Sequence, residues 1–548
     1  MNTFKKKSLH LAVLSGLAAI GAVGTAEAVH INPDGTGQVL VYPYYTARAG
    51  QATLITIINS QNNTKVVKVR FLEGKNSREV LDFNLFLSPA DVWTGAVVGT
   101  ANGARVVTND NSCVTPADLF AETRNDQAGN PLNEFKNYTY TGTFVDSASF
   151  ASLDRTREGY FEVLEMGVID DNTIDGDVIG AGTAATVTGF IKHNSAGVPA
   201  NCLALNTFDD FAGNPATTRF PNTGTTPVST PVTGPFFLTQ PPRGGLTGRA
   251  SVISSATGSN YTFSPTAFDA WSTVQKYTES GNLLPSIAGV DSTPAAGPTS
   301  NVFTSAGIVT TVWPATAAGA RDAMSATMMR NTVINEYILD AATASQTDWI
   351  VTFPTKRSYV NAGSGAATAP FLQNFPNSTA GSCDPYGFSV LNREEGVPGS
   401  FTPVPNPSPL PPGVTIAGAN LCWEANVVPF ASASLVSSTN TNPLITSLQA
   451  FVNGATTVPG SNTTPTLRAT QGPNGYMFMN FNAMTQVLAT TGGTTTRTPL
   501  GGAAVAVAGA VYNGLPVIGV MLHNYQNTGV VSRYGGTVDH KFTRSITP

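Results

Sequence analysis

The clearest pattern in this chain is alternation with a period of two. In "TKVVKVRFLEG" (64–74), Val67, Val69 and Phe71 fall on one side, with Lys68 and Arg70 on the other. In "REVLDFNLFLSP" (78–89), Leu81, Phe83, Leu85 and Leu87 point one way, with Asp82 and Asn84 opposite. Side chains of a strand face alternate sides, so both runs predict antiparallel strands with one buried and one wet face. The neighbours "QVLVYPYYT" (38–46), "ATLITIINS" (52–60) and "ADVWTGAVV" (90–98) are short, β-branched or aromatic, and bounded by Gly, Asn, Ser or Pro. Together they predict an immunoglobulin-like antiparallel β-sandwich with long insertions across residues 29–211. Pro43 cannot donate to a ladder, which places its strand at a sheet edge. Tyr42 and Tyr44 then share one face and cap the sandwich edge.

Between those two strands lies Gly74-Lys75-Asn76-Ser77, which resembles the end of a phosphate loop. The pattern needs glycine five residues before Gly74, a Ser or Thr after the lysine, and a helix next. Residue 69 is Val, residue 76 is Asn, and a strand follows. The stretch therefore predicts a hairpin turn. Arg70, Glu73, Lys75, Arg78, Glu79 and Asp82 read as solvated tips and edge protection.

Farther along, "REGYFEVLEMGVI" (157–169) predicts a strand and 246–268 a hairpin. Residues 212–244 are rich in Pro, Thr and Asn and read as a linker or insertion. Helical spacing runs from Phe268 to Glu279 and from Ala317 to Arg330, where Met324 and Met328 share a face. The segment 245–400 is otherwise β-rich, with strands at 331–339, 348–355 and 386–395. "PVPNPSPLPPG" (403–413) predicts a stiff polyproline loop within 401–413, and 414–548 a second β-rich region. There 501–522 is apolar, but Asn513, Gly514 and Pro516 split it into two buried strands instead of a membrane span.

Composition adds an address. Lys5 to Lys7, an apolar run to Val23 and Ala26-Glu27-Ala28 predict a signal peptide over residues 1–28. Net charge is −5 and becomes −7 once that segment's three lysines and one glutamate are removed. With only 11% charged residues, the surface argues against nucleic acid and anionic membranes. Cys113, Cys202, Cys383 and Cys422 are an even set in an exported chain and predict two disulfides. Nearest-neighbour pairing gives Cys113–Cys202 and Cys383–Cys422.

Four segments carry a resemblance: YPYYT (42–46), RFLEGKNSREVLDFNLFLSP (70–89), TDWIVTFPTKR (347–357) and CWEAN (422–426). They look like uncharacterised cell-surface proteins of Gram-negative bacteria, over most of the mature chain. The resemblance implies export and a surface location, and brings no catalytic residues with it.

Chemistry is sparse in the sequence. His30, His193, His523 and His540 form neither HxH nor HExxH, and no GxSxG is present. Glu162 and Glu165 sit three apart on a strand and so face opposite sides. Glu394-Glu395 and Asp209-Asp210 read as loop carboxylates. The best candidate is a calcium loop: Asp171, Asp175 and Asp177 around Gly176, though Gly182 stands where a bidentate Glu belongs. The expectation is a secreted structural or adhesive protein of the cell surface, matrix or filaments, partnered by itself, other surface proteins or polysaccharide. The competing expectation is a secreted carbohydrate-active enzyme or sugar-binding protein with exposed Trp or Tyr. The segment Val29–Gly37 and the edge at 38–46 are expected to be free to pair with a neighbouring copy.

Overall fold

The computed structural model describes residues 28–121, 131–142, 151–169, 184–208, 239–290, 297–360, 367–375, 382–392, 420–430, 434–436, 474–481, 485–487, 494–501, 510–526 and 532–547, with single positions 125, 129, 146 and 529. Residues 1–27 of the expected signal segment, the Pro-rich loop at 401–413 and most of the 212–244 segment lie outside them.

Thirteen strands build the first half. They are β1 His30–Ile31, β2 Val39–Thr46, β3 Gln51–Asn59, β4 Thr64–Glu73, β5 Glu79–Leu87, β6 Val92–Gly99 and β7 Ala104–Val107. Then come β8 Val114–Thr115, β9 Glu158–Ile169, β10 Thr239–Gln240, β11 Leu246–Ser254, β12 Ser259–Phe263 and β13 Thr266–Asp269. One sheet runs β1-β13-β2-β9-β4-β5-β8, with β10 also on β9; the second runs β12-β11-β3-β6-β7. Both are antiparallel throughout. Strands from before residue 170 and after residue 238 thus share both sheets. The alternating apolar sets meet between the sheets, where Val67, Val69, Phe71, Phe83 and Leu85 pack with Ile55, Ile57, Trp93, Val97 and Val252.

A third sheet leans on this sandwich. Its strands run in the order Ala425–Pro429, Gln346–Thr352, Ile518–Gln526, Arg533–Asp539. Ile350, Val427 and Val520 enter the same core as the sandwich residues. The helix Ala317–Met328 forms as its spacing predicts, with Met324 and Met328 fully buried and Thr316 capping the Gly319 N–H. Disulfides join Cys113 to Cys202 and Cys383 to Cys422. The second sits beside the short ladder of Asp384–Pro385 with Asn420–Leu421. Among the described residues, no helix is long and apolar enough to cross a membrane.

Three expectations are corrected. First, β2 is an interior strand, paired with β13 on one side and β9 on the other. Pro43 fits there because the β13 pairing has stopped at Val41 and the β9 register shifts between Tyr42 and Tyr45. A bulge asks for no N–H from that residue. Tyr42 stacks on Phe161 at 4.1 Å and donates to the Thr56 carbonyl at 3.0 Å, and both Tyr42 and Tyr44 are buried. Second, Val29–Gly37 is tied down. Val29 donates to the Thr299 carbonyl and accepts from the Asn301 N–H, both at 2.9 Å, and Gly37 exchanges hydrogen bonds with Leu246. Third, Phe268 to Glu279 is not helical: after β13 the chain runs on irregularly. The carbonyls of Thr278 and Glu279 accept from Asn84 and Lys68 of the sheet beneath, and a helix continuing through them would have used them internally.

Candidate functional site

The hairpin β4–β5 forms as predicted, but its charges are not solvated. Arg70, Glu73, Arg78, Glu79 and Asp82 are all buried. The polar face of the sheet is roofed by residues 276–284. Lys68 Nζ donates to the carbonyls of Glu279, Asn282 and Leu284 at 2.8, 3.1 and 3.1 Å. Asn84 Nδ2 donates to Thr278, and the Gly281 N–H donates to Asp82. What looked like a wet face is an ionic layer between the sheet and a strap of chain.

Within that layer Arg70 sits between Glu79 at 2.7 Å and Glu162 at 2.8 Å. Lys65 pairs with Glu165 at 2.7 Å. Glu162 and Glu165 thus serve separate cations, in keeping with their opposite faces. Glu73 is the hub of the turn. It accepts from the backbone N–H groups of Lys75, Asn76 and Arg78 at 2.7, 3.0 and 2.9 Å, and from Arg155 Nε at 2.6 Å. Arg155 and Arg78 both reach Asp146, at 2.8 and 2.9 Å. Burial pushes the Glu73 carboxyl up, but Arg155 and the N–H donors outweigh it and hold it down at about 2.

The tip of the hairpin is locked from outside. Ser77, at a left-handed φ of 48°, donates to Glu424 at 2.7 Å and accepts from the Tyr160 hydroxyl at 2.7 Å. Ala425 N–H donates to the Gly74 carbonyl at 2.9 Å, and Arg357 Nη1 to the Asn76 carbonyl at 3.0 Å. Thr352 donates to the Pro43 carbonyl at 2.6 Å. The four segments singled out in the sequence, far apart along the chain, therefore meet at one joint between the sandwich and the third sheet. Glu424 is the least comfortable group there. Burial drives its carboxyl up to about 8 against the opposing pull of Lys356, Ser77 and Arg357. Its Oε1 has no hydrogen-bond partner among the described residues.

The joint is sealed, whereas the outer face of the five-stranded sheet is open. Registered across the strands, Ile253 pairs with Ala52 and Val98 with Arg105 at one end; Ser251, Leu54, Ala96 and Val107 form the next row, Arg249, Thr56 and Thr94 another, and Thr247, Ile58 and Val92 the last. Leu54 and Val92 are each 43% exposed. Arg249 and Arg105 are the charged side chains on these outward positions, and neither is fully buried. Aromatics go the other way: Trp93, Trp271, Trp313 and Trp349 are fully buried and Trp423 half-buried. Exposed tyrosines among the described residues are Tyr138 and Tyr534.

Asp171, Asp175 and Asp177 lie outside the described residues, as do Asp209, Asp210, Glu394 and Glu395. No group of three or more His, Cys, Asp or Glu among the described residues is arranged to hold a metal. Compared with known protein families, curated proteins and solved structures, the chain matches none.

Proposed function

We propose that this chain is an exported structural or adhesive component of a Gram-negative cell surface, working through contact and not turnover. The observation that carries the reading is the outer face of the β12-β11-β3-β6-β7 sheet. It offers rows of aliphatic, Thr and Ser side chains with Arg249 and Arg105 among them, and no carboxylate on the strand positions that form the rows. Exposed aliphatic surface of that kind favours burial against another macromolecule. The two disulfides suit an oxidising compartment. The four-segment resemblance points to the same address. A sugar platform needs exposed aromatic rings, and here four of the five tryptophans are used as core. The partner is another surface protein, copies of this chain included.

The test pairs location with contact. Protease shaving and antibody labelling of intact cells should reach the protein. A Leu54→Lys, Ile58→Lys variant should remain folded and exported but lose self-association or surface binding. Retention of both contacts by that variant would refute the assignment of the face, and a protein found only inside the envelope would refute the address.

A further inference from the structure

Where the sandwich meets the third sheet lies a cleft of about 170 Å³. Its walls include Pro43, Pro265, Val333, Val517 and Val520, and Arg330 is part of the same lining. Arg330 is 5% exposed and has no carboxylate partner among the described residues. Its Nη1 donates to the carbonyls of Thr327 and Met329, both at 3.0 Å, and its guanidinium lies 3.8 Å from the Phe542 ring centre. Arg544 shares the same ring at 4.7 Å and the same Thr327 carbonyl at 3.3 Å.

Those carbonyls belong to the C-terminal end of the helix Ala317–Met328, which attracts cations. That explains why an arginine is tolerated here, but not the balance of charge. A helix C-terminus supplies roughly half a negative charge, against two whole guanidinium charges. The other titratable groups of the lining do not make up the difference. His540 is held neutral, its pKa pushed down to about 4 by burial; Nε2 donates to the Ile350 carbonyl and Nδ1 accepts from Asn335. Asp539 is exposed at the rim and makes no ion pair with Arg330.

We propose that this cleft binds a small organic monocarboxylate, its carboxylate paired with Arg330 and its apolar body lodged between the proline and valine walls. The donors left on Arg330 are Nε and Nη2, which form the parallel fork that meets both oxygens of a carboxylate. No second cation lines the cleft to suit a dianion. The volume is close to that of a cavity which accepts benzene, about 150 Å³, so the body is about the size of one ring or a short aliphatic chain.

Benzoate is the probe. Titrated into the full secreted chain by calorimetry, it should bind at one site with a Kd of about 1 mM or tighter. Benzyl alcohol, which keeps the ring and lacks the charge, should not bind, and inorganic phosphate should not compete. Arg330→Gln should weaken benzoate at least tenfold. Ser264→Trp, placed at the exposed rim, should block entry without disturbing the core, which keeps the test valid if the Arg330 variant fails to fold. Binding unchanged in Ser264→Trp would overturn the site. Phosphate competing as well as benzoate would overturn the ligand class, leaving a bare anion site, and no saturable binding of benzoate would overturn both.

Discussion

Removing Arg155 should undo the hairpin hub, and the size of the effect follows from what would be left behind. Arg155 places Nε 2.6 Å from Glu73 and Nη2 2.8 Å from Asp146, with its own plane stacked 4.3 Å from Tyr140. Arg155→Met keeps most of the stem volume, so the cavity contribution is small. Glu73 would keep three backbone N–H donors but lose its cation, and Asp146 would keep only Arg78 of the two arginines it now pairs with. Breaking a buried pair by deleting one partner costs about 3–5 kcal/mol. Glu73→Gln removes the other charge, and the double variant should recover part of the loss, with a coupling of roughly 2 kcal/mol or more.

The pH dependence gives a second readout of the same contact. Glu73 is depressed to about 2 from an ordinary value of 4.5. Its contribution is therefore present above pH 4.5 and disappears as pH falls toward 2. In Arg155→Met the carboxyl moves back up, and acid destabilisation should begin at a higher pH. Urea denaturation of the disulfide-intact protein at several pH values measures both effects. A loss below about 1 kcal/mol, an additive cycle, or an unmoved acid limb would each refute the hub.

Glu424, Asp82 and Asp348 are raised to about 8, 7 and 6, burial being the first cause in each; their stabilisation is full below pH 4 and lost as pH rises through those values. The melting temperature should thus fall from mildly acidic to mildly alkaline pH, and Glu424→Gln should flatten that slope. Non-reducing peptide mapping should recover Cys113–Cys202 and Cys383–Cys422, and because they close loops of 89 and 39 residues, reduction should cost about 4–5 kcal/mol for each. Leu54→Lys with Ile58→Lys should change folding stability by less than about 1 kcal/mol while abolishing contact. Calcium titrated into the full chain and into Asp175→Ala should give heat only with the former if the 171–177 loop is a site.

Strand order in the first hairpin, the helix with Met324 and Met328, and both disulfides were legible because each rests on local spacing or on neighbours along the chain. The fate of the charges was not. Alternation separates Lys68 and Arg70 from Val67 and Val69, but it cannot say what lies over the polar face. Here the cover is chain from residues 276–284, some two hundred residues away. A usable signal was present nonetheless: Arg70 faces Asp82 on one side and Glu162 on the other in register. Charges that complement each other across three strands are better read as a buried layer than as hairpin tips. Pro43 misled for a related reason, since a bulge accommodates proline as readily as an edge does.

The joint also explains why the most recognisable segments point to no chemistry. Buried ion pairs contribute little net stability, because desolvation offsets most of their attraction. Their effect falls on the alternatives. A one-residue slip of β4 against β9 would move Arg70 away from Glu162 and strand both charges in a closed layer. The same slip would carry Val67, Val69 and Phe71 off the core face. Likewise, Ser77 and Glu424 meet only if the hairpin tip and the third sheet dock in one way. Conspicuous residues are thereby committed to specifying register and docking. The two surfaces proposed for partners, the open sheet face and the Arg330 cleft, are made mostly of aliphatics, serines and threonines with a few arginines, residue types that carry no motif and become visible only once the chain is folded.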